Sequence, residues 1–217
     1  MTRKRVSGAE RRALILDAAR HVFSRHGFDG AKTLQIAREA KVSEALVYRH
    51  YPSKLALYRA VLRQIFREQD ENWQALGLHA PGAAGIVRTL KAYFAAVILE
   101  PEGQMQIGFR MTLSSLAGDG YFASLIYRRS QRRNLRAITA AHQEARADGD
   151  IVGEPIDIAD TSMFIEHVGT MLNAIHGLDH NSRPYRRDGV DLVKDAVWFC
   201  CRGVGMTEEA IRRHIDD

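Results

Sequence analysis

Several features that anchor other chemistries are scarce in this sequence. It holds two cysteines, Cys200 and Cys201. They are adjacent, and chain neighbours cannot close a relaxed disulfide. Two sulfurs are too few to hold a structural zinc ion by themselves. They read as small apolar residues of a reducing compartment, so a cytoplasmic location is expected. Proline is sparse, with five in 217 residues. No stretch sustains the alternation of a half-buried strand, which argues against an all-β protein. The longest apolar run, Ala92–Leu99, is far shorter than the roughly 20 residues that span a bilayer. No membrane partner is expected. Arg3, Lys4 and Arg5 are followed by Glu10, Arg11 and Arg12 with no apolar block between, so a secretory leader is not expected. Nucleophile elbows, Walker loops and dinucleotide glycine patterns do not occur. An enzyme is therefore not expected, nor a cofactor.

What is present is an ordinary globular composition, 46% hydrophobic and 26% charged, which disfavours disorder as the dominant state. The charge is unevenly spread. Residues 1–67 hold 15 Lys and Arg against 5 Asp and Glu, a net +10. The remainder holds 16 against 21, a net −5. A basic front joined to an acidic remainder points the front towards a polyanion.

Helical signals run through the chain and predict an all-α protein of about nine or ten helices. Ser7 and Glu10 form a capping box. Leu14, Ala18 and Val22 follow at a spacing of four, with Ile15 and Phe23 widening the stripe, and Gly27 is placed to stop the helix. A short segment follows from Thr33 to Ala40. Ser43 is a good N-cap for another ending near His50. Pro52 ends it, Ser53 can cap the next, and Leu57, Val61 and Ile65 mark that helix's apolar face. Further segments are predicted at 84–99, 104–116, 121–147, 160–175 and 189–201. Asp157 and Thr207 stand at capping positions for later helices. The division expected is 1–67 for a helix-turn-helix DNA-binding domain and 68–217 for a larger helical effector-binding and dimerisation domain.

Two short helices joined by Lys41 and Val42 make a helix-turn-helix candidate. A helix of about seven residues fits a major groove and can aim its first turn at base edges. Ala40, Val47 and Tyr51 are placed to lock the helices together. Glu44, Ala45, Tyr48 and Arg49 are placed to face outward. Lys54 opens the next helix, where a cation and free N–H groups can hold one phosphate.

The stretch from Ser7 to Tyr58 resembles the TetR family of bacterial transcriptional regulators. The resemblance rests on Ile15, Ala18-Ala19, Phe23 and Gly27-Phe28, then Ile36-Ala37, Ala40 and Val42-Ser43. Tyr48, His50-Tyr51 and Lys54-Leu55 complete it. It covers roughly a quarter of the chain. It implies that Tyr48, His50 and Lys54 contact phosphates and that the outward residues opening the recognition helix read bases. The DNA-contacting set is thus Lys32, Thr33, Ser43, Glu44, Ala45, Tyr48, Arg49, His50 and Lys54. Three positions depart from the family's pattern. Lys41 stands where glycine is usual, so it must take an unfavoured backbone angle or the turn must differ. Lys32 stands where a capping threonine or serine is common; either Thr33 caps instead or Lys32 adds a phosphate contact. Leu46 replaces a small polar residue.

The resemblance further implies a homodimer with a helical effector domain. The segments 160–175 and 189–201 carry more apolar surface than one small core needs, which suits a four-helix interface. Val193, Val197 and Cys200 mark the stripe expected at that interface, near Trp198 and Phe199. Tyr93, Met105, Phe109, Thr112, Tyr127, Met163, His167 and Met171 are the candidate pocket for a largely hydrophobic effector. Arg128, Arg129, Arg132, Arg133 and Arg136 form a basic face read as solvated or ion-paired charge. His176, Asp179 and His180 have metal-ligand spacing, but a metal is not expected. The function expected is a sequence-specific repressor that binds an inverted-repeat operator as a homodimer and is released by a small molecule. The alternative is a small-molecule-binding or catalytic helical protein whose front end only packs. A nonspecific DNA-binding structural protein is a third reading.

Overall fold

The computed structural model describes residues 7–75, 81–100, 104–118, 120–176, 178 and 180–216, with the side chains of 69, 72–75, 104–106, 134 and 180 left undescribed. These residues form ten α-helices and one 3-10 turn: α1 Gly8–Gly30, α2 Thr33–Glu39, α3 Glu44–His50, α4 Lys54–Ala75, α5 Gly82–Ile98, α6 Gln104–Leu116, α7 Tyr121–Ala147, α8 Ile158–His176, the 3-10 turn His180–Ser182, α9 Gly189–Gly203 and α10 Glu208–Ile215. The all-α expectation holds. No described helix is long and apolar enough to cross a membrane. The chain divides into two compact units. The first takes in the chain to Asp70 and the segment Arg110–Ala123; the second comprises Glu71–Phe109 and Ser124–Asp217.

The helix ends sit where short polar side chains can satisfy unpaired backbone N–H groups. Glu10 N donates to Ser7 Oγ at 3.1 Å, while Ser7 N donates to the Glu10 carboxylate at 2.6 Å. Ser43 accepts from Leu46 N at 3.2 Å, Ser53 from Ala56 N at 3.0 Å and Thr207 from Ala210 N at 3.2 Å. Asp157 accepts from Ala159 N at 2.8 Å and from Asp160 N at 3.2 Å. Gly27, at φ +66, breaks the regular helix inside α1.

In the first unit, Ile15, Ala18, Ala19, Val22 and Phe23 of α1 pack inward with Ile36, Val47, Leu57 and Val61. Phe23 meets Tyr58 edge to face at 4.8 Å between centroids, and Phe28 lies 4.9 Å from the same ring. Leu14, expected on the apolar stripe of α1, is exposed instead, as is Leu34 of α2. Ile15 and Ile36 occupy the inward positions beside them. Arg20 is buried yet charged, and the Glu68 carboxylate meets it with a two-pronged contact at 2.8 and 2.9 Å. Such a fork matches guanidinium geometry and joins α1 to α4.

The second unit is built around α5, whose Val87, Leu90, Phe94 and Val97 are buried in one cluster with α8, α9 and α10 residues. α8 approaches closely because Gly169 has no side chain; a Cβ there would stand 2.1 Å from the Tyr93 hydroxyl. A two-residue antiparallel bridge ties the segment after α7 to the α9–α10 turn. Val152 N donates to Gly205 O at 2.9 Å, and Thr207 N to Asp150 O at 2.8 Å.

The direction of α9 corrects the expected interface stripe. Val193, Val197 and Cys200 are 7%, 0% and 5% exposed and belong to the core of the second unit. Phe199 lies on the far side of the helix and is exposed, and Val190 is exposed at the first turn, before the buried stripe begins. Both buried thiols are raised by loss of solvation, Cys200 to about 11 and Cys201 to about 12. They stay protonated and poorly nucleophilic at neutral pH.

The Arg20–Glu68 pair generates a stability prediction. Glu68→Ala removes the two-pronged contact from a buried guanidinium, and breaking a buried pair of this kind costs about 3 kcal/mol. The urea midpoint of the first unit's unfolding should fall accordingly. The double variant Arg20→Met/Glu68→Leu should recover most of that loss.

Candidate nucleic-acid interface

The two seven-residue helices α2 and α3 are joined by residues 40–43. The joint is a complete left-handed helix stop. Lys41 has φ +55, the one positive φ among the described non-glycine residues. Lys41 N donates to Arg38 O at 3.1 Å and Val42 N to Ala37 O at 2.9 Å. This is the double bond pattern that usually ends on glycine. Lysine therefore adopts the unfavoured angle, and the turn keeps its geometry.

At the start of α2, Lys32 N donates to Gln35 Oε1 at 2.9 Å, so Gln35 reaches back to satisfy the helix entry. Thr33 does not cap. Its hydroxyl instead meets Glu44 Oε1 at 2.6 Å and Tyr48 OH at 3.1 Å, joining α2 to α3.

Val47 is buried and pins α3 to the core, so the opposite side of the helix turns outward. Ala45, Tyr48 and Arg49 are exposed, as is Ser43, while Glu44 and His50 are half-buried. Tyr51 packs inward at 3% exposure, with the Arg12 guanidinium 4.7 Å above its ring. Burial raises the Tyr51 phenol, against the opposing field of Arg12 and Arg63. Lys54 Nζ donates to Asp29 O at 3.2 Å and stands 4.7 Å from the Phe28 ring centroid. These contacts hold the ammonium near the α4 N-terminus, where unpaired N–H groups favour an anion. All nine sequence-predicted DNA residues lie in the first unit.

The expected effector residues are placed differently. Thr112 belongs to the first unit, and the others belong to the second. Met105 has an undescribed side chain, so its expected role lies outside the described residues. Phe109 is buried in the second unit's core cluster, with Tyr93 packed against it. Met163 is half-buried, whereas His167 and Met171 are exposed. Tyr127 and His167 come together, their rings edge to face at 5.3 Å.

One acid was missed in the sequence, Glu166. It is the α8 neighbour of His167, and an isolated acid six residues beyond Asp160 on an otherwise apolar helix gives no spacing signal. Burial raises its carboxyl above the ordinary value, while the Tyr93 hydroxyl and the Arg133 charge oppose that rise. Burial likewise raises Tyr93 well above its ordinary value, and Tyr127 to a lesser degree. The Tyr127 hydroxyl and the Thr170 Oγ1 are buried with no hydrogen-bond partner among the described residues. Three helices thus direct polar groups into an apolar interior.

In the basic stretch of α7, Arg128 folds back on Ser124, donating to its carbonyl and hydroxyl at 3.1 Å each. The spacing of His176, Asp179 and His180 falls partly on undescribed residues. No group of three metal-binding side chains occurs among the described ones.

Known proteins resemble this chain most clearly in the first unit. Residues 15–61 match the model of bacterial regulatory proteins of the tetR family. RutR, an HTH-type transcriptional regulator of Escherichia coli (strain K12), is 49% identical over 63 residues, which are 29% of this chain and 29% of RutR. The matched stretch therefore spans less than a third of that relative. Likeness of fold extends further. A TetR-like transcriptional regulator from Rhodococcus sp. RHA1 superposes with a TM-score of 0.64 at 19% identity, covering 92% of this chain and all of that one. The transcriptional regulator FadR from Bacillus subtilis, in complex with stearoyl-CoA, gives 0.60 at 15% identity, covering 88% and 98%.

The buried Glu166 carboxyl generates a pH prediction. Its folded value lies above the ordinary 4.5, so folding favours the protonated form. The cost is absent below the unfolded value, grows as pH rises past it, and is complete above the folded value. Glu166→Gln removes that cost. The variant should melt near the parent at pH 4 and higher than the parent at pH 8, as thermal unfolding at both values would measure.

Proposed function

We propose, from the match of residues 15–61 to the tetR family of bacterial regulatory proteins, that the whole chain is a ligand-responsive transcriptional repressor. The carrying observation is the outward face of α3. Ala45, Tyr48 and Arg49 are exposed on a helix pinned from behind by Val47, within a stretch of net charge +10. That arrangement offers a groove-sized reading helix flanked by cations for phosphate. Lys54, Tyr48, His50 and Lys32 serve the backbone; Glu44, Ala45 and Arg49 serve the bases. The working division is a DNA-binding domain at 1–67 and an effector-binding and dimerisation domain at 68–217.

A second copy of the chain is the partner this reading requires. Phe164, Met171, Val190 and Phe199 are each more than half exposed on α8 and α9. Apolar exposure of that kind marks an association surface. The effector site is placed in the second unit around Tyr93, Tyr127 and the α8 face of Met163, with Glu166 as its polar anchor. A ligand that satisfies the Tyr127 and Thr170 hydroxyls and prefers one arrangement of the helices shifts the population of DNA-competent dimers. A hundredfold preference corresponds to about 3 kcal/mol of coupling.

Footprinting on the DNA flanking the chain's own gene tests the central claim. A protected inverted repeat is expected, with affinity falling steeply as salt rises. Lys54→Ala should weaken binding to all sequences about equally and reduce the salt slope by about 1. Equal affinity for random and flanking DNA at moderate salt defeats the specific-regulator reading.

The dimer claim has its own pair of variants. Phe199→Glu changes an exposed side chain, so it should leave each subunit folded while light scattering shows a monomer. Val197→Glu places a charge in the core and should unfold the second unit instead. A parent that is monomeric at micromolar concentration contradicts the claim.

A further inference from the structure

Glu44 is an acid on a face otherwise suited to phosphate. It opens α3 within residues 1–67, which hold 15 basic residues against 5 acidic ones. A carboxylate cannot hold a phosphate, and near the DNA backbone it is repelled. Its place at the first turn of the reading helix therefore lowers affinity for DNA in general.

The carboxylate is also held in place. Glu44 Oε1 accepts the Thr33 hydroxyl at 2.6 Å. A threonine hydroxyl has a single hydrogen, so the 3.1 Å contact between Thr33 Oγ1 and Tyr48 OH runs from the tyrosine to the threonine. In the DNA-free protein three side chains on two helices form one directed chain, Tyr48 to Thr33 to Glu44; a phosphate at Tyr48 takes over the tyrosine's hydrogen and leaves the Thr33–Glu44 link intact. The final link is charge-assisted and short, the stronger class of hydrogen bond. A carboxylate has about four acceptor positions, so about three are left. Glu44 enters an encounter with its rotamer already restrained, which lowers the ordering cost of a further contact.

In the major groove the base-edge donors are the N4 amino group of cytosine and the N6 amino group of adenine. Adenine sets its N7 acceptor beside N6, and that lone pair opposes the second carboxylate oxygen. The cytosine amino group has a C–H beside it. Resting on the DNA-binding reading above, we propose that Glu44, positioned by Thr33, is a specificity-determining residue that accepts a hydrogen bond from the N4 amino group of a cytosine at one position in each half-site. Glu44 then acts twice: it penalises DNA lacking that donor, and it is repaid where the donor is present.

The test is selection of the full-length protein on random-sequence duplex DNA, followed by sequencing of the enriched pool. The parent should enrich a motif with cytosine at one position per half-site, favoured at least fivefold over other bases, the lower end for a good base contact. Glu44→Ala should retain the rest of the motif while the preference at that position falls below twofold. Glu44→Gln should move the preference to adenine, whose N6 and N7 match an amide. Thr33→Ser should retain the cytosine preference, and Thr33→Val should weaken it at that position more than elsewhere. Thermal melts establish that each variant is folded, and Glu44→Gln keeps the test open if Glu44→Ala unfolds. An unchanged preference in a folded Glu44→Ala or Glu44→Gln protein, or a uniform change in affinity with the same motif, overturns the role of Glu44 as a base reader. A parent that enriches no motif overturns the regulator reading itself, which a motif indifferent to Glu44 does not.

Discussion

Two seven-residue helices must be held at a fixed angle by something other than themselves. Isolated helices of that length are far below the size that persists in water. α2 and α3 therefore exist because Ile36, Ala37 and Val47 are buried, at 0%, 1% and 1% exposure, in the core of the first unit. Phe23 and Tyr58 fix the floor of that core. The strained lysine at φ +55 then sets how α3 leaves α2. A left-handed non-glycine residue costs about 1 kcal/mol, so surrounding packing must impose it. Lys41 is exposed, so its ammonium lies in solvent beside the reading helix, where glycine would offer no charge.

The fold was largely legible in the sequence, and the reason is local. Caps and stops act within four residues, so Ser7, Ser43, Ser53, Asp157 and Thr207 announce helix starts without knowledge of the partner helices. α6 and α7 have the bounds that periodicity gave them. Orientation was less legible where a helix is apolar on more than one side. α9 carries Val193 and Val197 on one side and Phe199 on another, and composition does not say which is the core. Contact with α5 decides it. The Thr33–Glu44–Tyr48 chain was invisible for a different reason. It joins residues 11 and 15 positions apart through a turn whose geometry depends on Lys41. Glu166 was missed because its environment is made by Tyr93 and Arg133, which are distant in sequence.

The second unit combines an efficient core with a few costly polar groups. Close packing at Gly169 brings α8 onto Tyr93, and the same approach helps to desolvate the Glu166 carboxyl. Unpaired buried hydroxyls such as those of Tyr127 and Thr170 each cost about 1–3 kcal/mol. Natural chains commonly tolerate such costs where function needs a polar group inside an apolar setting. In the proposed function these groups, rather than the exposed His167 and Met171 of α8, are the polar anchor of the effector site.

The shortness of α3 carries the argument one step further. A seven-residue helix with a buried middle can present only a few side chains to base edges, in the proposed reading Glu44, Ala45 and Arg49. Each good base contact discriminates by about 1–3 kcal/mol. Specific over nonspecific binding spans about 4–10 kcal/mol. One reading head reaches the lower part of that range, and an acid among its readers lowers general affinity further. Two linked heads double the discrimination while sharing the entropic cost of association. In the proposed dimer the apolar residues left exposed on α8 and α9 form the contact, because a two-fold contact uses the same patch on both copies. In the proposed regulator the small helix and the apolar surface of the second unit thus answer one requirement: a helix too short to specify an operator by itself must be presented in pairs.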